Sequence, residues 1–460
     1  MIKKIKWNNH AILGSLELDF TKADGSVYNT IILAGENGTG KTTVLETLAN
    51  FLDGKSFEPF EYIEYTIPIG EYQIKQTNNA QQASSGYHLR KNLNNTNSPW
   101  QEIIKGKSHP SPALDFLQDR EDIRSYGFAY SKARSGFKAS AIKTTTTLQL
   151  DSEKFTSDSK DDFTDIKQLL VDLSAQDNAS IAKIAKIQKV SYEEFAPQSK
   201  IQRFRKAFND FLDNIQFLEV DEESAAEKEI IFTKNGNRIK IDDLSTGEKQ
   251  IVYRGALLLR NSRAINNGIA LIDEPELSMH PQWQQKVLNY YRKLFTSNSG
   301  QSVQTIIATH SEYVLRSALE DQENVLIVVL TSNNGVIEQK RITAPTNLPT
   351  ITAAETNYLA FDIVSPDYHI QLYGHLQNIT GNFYVTECDD YIARQTTIYD
   401  PAIHAKNYTY TDRSGNIKSY QTLPTYIRNS IDHPDPTHNY TLQELRTSIE
   451  LLINLCRHAT

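Results

Sequence analysis

Cysteine is almost missing from this chain: Cys388 and Cys456 are the only two in 460 residues. So few thiols exclude a disulfide framework and suit a reducing compartment. Long apolar runs are missing too. The longest, VLIVVL at 325–330, falls far short of the roughly 20 residues that span a bilayer. The opening MIKKIKWNNH is basic, but no apolar stretch follows it, so it does not read as a secretory signal. Nor is there an excess of positive charge. With 48 basic and 56 acidic residues, the net charge is −8. That balance argues against a chain-wide electrostatic grip on nucleic acid and still leaves room for a local basic patch. Sustained heptads are absent as well, so no long coiled-coil arm is expected. A soluble cytoplasmic protein with two or three domains and no membrane contact fits these limits.

What is present alternates between strand-like and helix-like patterns. SLELDF and NTIILAG read as strands. TTVLETLANFL carries Val44, Leu45, Leu48, Phe51 and Leu52 at helical spacing. Two polar stretches, about 76–112 and 143–162, read as flexible insertions around an ordered piece, YGFAYSKARSGF. Short helices are expected at FTDIKQLLVDLSAQ, IAKIAKI and IQRFRKAFNDFLDNI, and a hairpin across KNGN. GIALID, QTIIAT and NVLIVVL are buried-strand runs separated by helical segments, an alternation that implies an α/β chain with a parallel sheet. Beyond about 345 the pattern turns helical and holds six of the eleven histidines. Two domains are therefore expected, 1–345 and 346–460.

The chemistry begins at GENGTGKTT, residues Gly35, Glu36, Asn37, Gly38, Thr39, Gly40, Lys41, Thr42 and Thr43. It fits G-x-x-x-x-G-K-[ST], follows a strand and opens a helix. Its glycines let backbone N–H groups turn inward onto phosphate oxygens. Lys41 is placed for the outer phosphates and Thr42 for a Mg²⁺ ion. The apolar strand in GIALIDEPE ends in Asp273 and Glu274. Acids at the tip of a buried strand need a positive partner. Asp273 suits Mg²⁺ and Glu274 suits a general base, although both could instead cap the helix that follows. In LSTGEKQ, Ser245 and Glu248 stand at capping-box spacing. His310, in IIATHSEYVL, ends another buried strand, where a lone histidine is more often structural than catalytic.

The order of these four motifs resembles the ATP-binding-cassette ATPases, in the branch that holds RecF, the overcoming-lysogenization-defect nucleases and the chromosome-maintenance ATPases. IKWNNHAILGSLELDF, GENGTGKTTVLETL and DEPELSMHP carry the likeness, over residues 1 to about 330. It implies an ABC-type P-loop ATPase with a mixed sheet flanked by helices, acting on ATP with Mg²⁺. It further implies a homodimer, or a larger oligomer, that sandwiches ATP between facing cassettes. Ser245, Gly247 and Glu248 would be the signature reaching across, and His310 the sensor of the γ-phosphate. His280 would be a cross-dimer contact, and Arg134 would stand in for the missing Q-loop glutamine. The chain lacks the family's coiled-coil arms. TECDD at 386–390 falls short of the clustered acids and lysine of an appended metal-dependent nuclease.

In the C-terminal part, Arg428 and His433 in TYIRNSIDHPDP resemble the HEPN ribonuclease motif. There a paired Arg–His set cleaves RNA without metal. A histidine just before a helix-ending proline also suits the helix dipole. YTLQELRTSIELLINLCR is expected as a helix capped by Thr441 and Glu444, with Leu442, Leu445, Ile449, Leu452 and Ile453 on one face. The whole tail is similar to cassette ATPases of bacterial anti-phage systems, the Septu and retron-linked ATPases among them. In those systems a separate HNH nuclease cuts, so the resemblance implies a nuclease partner and a DNA or RNA target. RNA cleavage, partner docking or a dimer scaffold, and a plain structural helix end remain the readings of this tail.

Overall fold

In a computed structural model, residues 1–55, 57–77, 88–95, 97–103, 119–134, 138–157, 163–188, 199–221, 227–297, 300–342, 346–411, 415, 417–434 and 438–459 are described. They form two units, Met1–Arg341 and Ile342–Thr460. The first unit opens with β1 (Ile2–Trp7), β2 (Glu17–Asp19), β3 (Thr30–Ala34) and α1 (Lys41–Leu52). Next come β4 (Phe60–Ile67), β5 (Gly70–Gln76), β6 (His88–Asn92) and β7 (Gln101–Ile103). Then follow β8 (Phe128–Ser131), β9 (Phe155–Ser157), α2 (Thr164–Gln188) and α3 (Gln202–Phe211). A small antiparallel sheet of β10 (Ile215–Asp221), β11 (Glu229–Lys234) and β12 (Asn237–Lys240) precedes α4 (Thr246–Lys249) and α5 (Gly255–Arg260). The remainder is β13 (Ile269–Asp273), α6 (Pro281–Leu294), a short ribbon β14 (Thr296–Ser297) and β15 (Gly300–Gln301), β16 (Gln304–Ala308) and α7 (Glu312–Leu319). Two last strands, β17 (Val325–Asn333) and β18 (Val336–Ile342), close it.

Seven strands in the order β18-β17-β3-β16-β13-β8-β9 make the central sheet, and the pairings from β17 through β9 are parallel. β3, β13 and β16 are buried along their whole length. Uninterrupted apolar runs such as TIILA and IALID are what a sheet covered on both faces requires. Register does the rest. Ile31 stands beside Ile306, and Ile272 beside Ile307, so these strands end together at their C-terminal edge. The loops after β3, β13 and β16 therefore emerge side by side, where a parallel sheet opens its ligand crevice. α1 packs Val44, Leu45 and Leu48 into one core with Ile31, Leu33, Leu271 and Ile306. Beside this lies a six-stranded antiparallel sheet, β2-β1-β4-β5-β6-β7.

Several expectations change. Strands β6 and β7 lie inside the first polar stretch, with His88 and Arg90 buried, so that stretch is partly woven into a sheet. Burial there is tolerated because Arg90 pairs with Asp119 at 2.5 Å and with Glu121 at 2.7 Å. Residues 78–87, 96 and 104–118 of and beyond that stretch lie outside the described residues. β9, from the second polar stretch, forms the edge of the central sheet; residues 158–162 are not described. The two short helices expected after 163 are one helix, α2, because neither Gly nor Pro interrupts it. The KNGN hairpin forms as expected, with Asn235 and Gly236 at positive φ.

The second unit contains α8 (Ala353–Phe361), α9 (Pro366–Thr380), α10 (Val385–Arg394), α11 (Pro401–His404), β19 (Ala405–Thr411), β20 (Ile417–Thr422), α12 (Leu423–Asp432) and α13 (Leu442–Ala459). Its core joins Leu372 and Leu376 of α9 to Ile427 of α12 and Ile449 and Leu452 of α13. Thr441 and Glu444 cap α13 reciprocally. Leu442, expected on the buried face, is 69% exposed, because it sits in the first turn ahead of the packed stripe. The β19–β20 hairpin was hidden in sequence by its many Tyr, Thr and Lys residues, which strand and loop share.

Candidate nucleotide site

The loop between β3 and α1 is shaped by three glycines at positive φ: Gly35 (133°), Gly38 (84°) and Gly40 (86°). A Cβ on Gly35 would stand 2.2 Å from the Leu330 carbonyl, and one on Gly40 would stand 2.5 Å from Leu13 Cδ2. Both positions need glycine for backbone angle, and Gly35 needs it for space as well, since its neighbour is backbone. Lys41 donates from Nζ to the carbonyls of Gly35 and Glu36, each at 2.8 Å. Burial lowers the Lys41 ammonium, against the pull of the Glu274, Asp273 and Glu276 carboxylates. Thr39 ties the loop by donating to the Glu36 carbonyl at 2.8 Å. Glu36, Asn37 and Gly38 are exposed, and Thr43 is half-buried in the first turn of α1.

The tip of β13 meets this loop directly. Thr42 Oγ1 donates to Asp273 Oδ2 at 2.9 Å. The other carboxylate oxygen, Oδ1, is buried with no hydrogen-bond partner. Burial pushes the Asp273 carboxyl up to about 6, helped by Glu274 and Glu276 and opposed by the Thr42 hydroxyl and Arg254. An orphaned carboxylate oxygen beside a threonine hydroxyl is a donor set that fits Mg²⁺. That ion takes one or two protein oxygens and completes its shell with water and phosphate. Among the described residues no group of three or more His, Cys, Asp or Glu could hold a metal, so nothing resembles an all-protein metal cage.

Glu274 adopts φ 45°, a left-handed conformation that costs a non-glycine residue on the order of 1 kcal/mol or more. Its N–H donates to the Ala308 carbonyl at 2.9 Å, one residue beyond the β13–β16 pairing of Asp273 with Ala308. There His310 Nδ1 lies 3.3 Å from Glu274 Oε1 and 3.7 Å from Glu276 Oε1. Glu276, quoted in DEPE but given no role by the sequence reading, is buried. It accepts from Thr309 Oγ1 at 2.6 Å and from the His310 N–H at 3.2 Å. Burial raises its carboxyl, opposed by the Thr309 hydroxyl. The structure thus gathers Lys41, Thr42, Asp273, Glu274 and His310 at one sheet edge, as their motifs suggested.

A second missed residue stands behind them. Arg254, fully buried, donates from Nε to Ser131 Oγ at 2.8 Å and from Nη1 to the Glu274 carbonyl at 2.9 Å. Its Nη2 reaches the Asp273 carbonyl, and Gln250 accepts a further bond from Nη1 at 3.2 Å. Gln250 and Arg254 bracket a π-helical turn, Gln250–Arg254, between α4 and α5. The spacing after LSTGEKQ was the available signal, but an arginine in an apolar helix looks like a surface residue until the sheet is seen.

Ser245 caps α4: its Oγ accepts from the Glu248 N–H, and Glu248 Oε2 accepts from the Ser245 N–H at 2.8 Å. Glu248 Oε1 holds Lys234 at 2.6 Å. Burial would raise the Glu248 carboxyl, yet Lys234 and Ser245 outweigh it and hold it low. Both Glu248 oxygens are engaged, and Ser245 and Thr246 are the exposed residues at this helix start. A Cβ on Gly247 would meet the Ser278 carbonyl at 2.8 Å. His280 caps α6, accepting from the Gln282 N–H at 3.3 Å. The Arg134 carbonyl accepts from Gln250 Nε2.

The sequence pattern of the family described as "AAA domain, putative AbiEii toxin, Type IV TA system" matches residues 31–316, from β3 through α7. The chain belongs to that family. Septu protein PtuA from Bacillus mycoides (strain KBAB4) is 23% identical over 347 residues, 71% of this chain and 40% of that protein. Septu protein PtuA from Bacillus thuringiensis is 24% identical over 341 residues, 69% of this chain and 74% of that protein. The Retron Vc95 probable ATPase of Vibrio cholerae serotype O1 biovar El Tor is 32% identical over 102 residues, 20% of this chain and 19% of that protein. This chain therefore spans less than half the length of the first and last of these three relatives. Among solved structures, the SMC head domain from Thermotoga maritima is 12% identical, with a TM-score of 0.38, covering 75% of this chain and 99% of that one.

In the C-terminal unit, Arg428 lies on α12 with its Nη2 2.7 Å from Asp432 and its Nη1 donating to Asn429 Oδ1 at 3.0 Å. His433 is the exposed C-cap of the same helix. Asp389 of TECDD is a buried anchor: it accepts from the Thr422 hydroxyl at 2.6 Å and from the N–H groups of Gln421 and Thr422. That use explains one acid of the cluster without any metal. Among the described residues no helix is long and apolar enough to cross a membrane.

Proposed function

We propose that this cytoplasmic ATPase binds and hydrolyses ATP in a dimer closed around nucleotide, and that the closure regulates a separate nuclease chain of HNH type in bacterial anti-phage defence. The observation that carries the reading is the convergence of Lys41, the Thr42–Asp273 pair and the Glu274–His310 pair at one sheet edge. The names of the relatives, Septu PtuA and a retron ATPase, supply the defence context.

Residue by residue, Gly35–Gly40 N–H groups and Lys41 would cradle the phosphates. Thr42 and Asp273 would hold Mg²⁺, which supplies charge neutralisation on the β- and γ-phosphates when bound. Glu274 would orient and deprotonate the attacking water. His310 would sense the γ-phosphate, positioned through its backbone by Glu276. Ser245, capping a helix start, would offer its hydroxyl and the neighbouring N–H groups, Gly247 among them, to the nucleotide of the partner copy, as the family resemblance implies.

Glu274→Gln should lower ATP turnover by about 100-fold or more, since it removes a general base. It should also accumulate an ATP-dependent dimer on size exclusion with light scattering. Hydrolysis at the unsubstituted rate would refute the role of Glu274, and a monomer at saturating ATP would refute the sandwich. The alternative, a self-contained HEPN-type RNase toxin, rests on Arg428 and His433 sharing the end of α12. It requires purified protein to cleave structured RNA in some nucleotide state and His433→Ala to abolish the cleavage. Intact RNA with ATP, with ADP and without nucleotide would leave the docking reading alone.

A further inference from the structure

A second polar cleft lies in the first unit, away from the nucleotide site. Its volume is about 830 Å³, and α3, the turn after α5 and the end of α6 with the residues just beyond it form its walls. The turn at 262–266 leads into the N-terminal end of β13, and Ser302 leads into that of β16. The P-loop, Glu274 and His310 all follow C-terminal ends of the same parallel strands. Five-residue strands rise roughly 16 Å, so the two sites occupy opposite edges of the sheet.

Arg203, Lys206, Arg263 and Lys293 line this cleft, against one acid, Asp210. Such a balance departs from a chain whose net charge is −8. Arg203 is structural: it pairs with Asp151 at 2.7 Å and donates to the Leu259 carbonyl at 3.1 Å. Asp151 also accepts from the Arg263 N–H at 3.0 Å, so the carboxylate fixes the turn that carries the Arg263 side chain. Lys206, Arg263 and Lys293 are exposed, and among the described residues none of the three is in an ion pair. Three cations on three separate elements, without an ion-pair partner among the described residues, form an electrostatic site for several phosphates. The aromatic residues in its wall, Tyr290 and Phe295, are buried, so no ring is offered for base stacking.

We infer that this cleft binds the phosphodiester backbone of a nucleic acid, without sequence readout, through Lys206, Arg263 and Lys293. The inference stands apart from the hydrolysis reading, and its test reads binding. The full chain and the triple variant Lys206→Gln/Arg263→Gln/Lys293→Gln would be titrated into a labelled single-stranded RNA and a labelled DNA duplex at about 50 and 200 mM salt. Inorganic tripolyphosphate serves as the free-phosphate control. Wild-type protein should bind at least one oligonucleotide with a steep salt dependence. The triple variant should bind roughly tenfold or more weakly, with its log–log salt slope smaller by about 2 for single strands. ATP turnover and melting temperature should stay at wild-type values; if the triple variant melts early, the single Arg263→Gln and Lys293→Gln variants replace it, each expected to lower the slope by about 0.7. Oligonucleotide binding that is absent, or unchanged by these substitutions, overturns the inference. So does tripolyphosphate binding that the variant loses while no oligonucleotide binds.

Discussion

Arg254 carries a positive charge in the middle of the sheet-facing helix stretch and spends it on carbonyl groups. Its bonds to the backbone of Asp273 and Glu274 hold the strand tip at which Glu274 is left-handed. The strain at Glu274 is thus offset from behind, by a residue the nucleotide would never touch. Removing a buried charged donor leaves those carbonyls and Ser131 unpartnered. Arg254→Met should therefore cost about 1–3 kcal/mol for each buried group left unsatisfied, read as a lower urea midpoint for the first unit. Arg254→Lys should not restore it, since an ammonium cannot span four acceptors on two elements. A midpoint within experimental error of wild type would deny Arg254 this role.

At the scale of elements, α9 and α13 pack through a polar contact inside an apolar seam. His369 Nε2 lies 2.8 Å from Ser448 Oγ, while Nδ1 is buried without a partner. Burial lowers the His369 imidazole to about 3, far below its ordinary value near 6.5. The folded pKa is the lower one, so the unfolded chain takes up the proton first. The contribution of this neutral ring is present above about pH 6.5 and is lost as pH falls toward 3. Melting of the C-terminal unit should accordingly drop between pH 7 and 5, and His369→Gln should flatten that drop. An equally steep fall in the variant would place the pH dependence elsewhere. The same scale explains what the sequence concealed. β6, β7 and β9 lie in polar stretches whose strand character comes from neighbours, Arg90 with its carboxylates and β8 at the sheet edge. β-structure of that kind depends on its context more than on composition.

For the whole molecule, the sequence by itself determined the family and the makeup of the phosphate-type loop. Glycines at 35, 38 and 40, a lysine, and acids at the end of an apolar strand are short-range patterns, set by the steric and electrostatic needs of a phosphate loop. The parallel sheet followed from apolar runs too continuous for a one-sided strand. Only the tertiary structure decided which residues meet. Thr42 and Asp273 are 231 positions apart and touch because β3, β16 and β13 share one register. Arg254 and Glu276 needed that same packing before their roles could be seen, since a buried hydrogen-bond network has no periodicity to announce it. The basic cleft is a further case: its cations come from three separate segments, and in sequence each is one more charge in a chain with an acidic balance. Local pattern fixes what a segment can do, and strand order with register fixes what it does it beside.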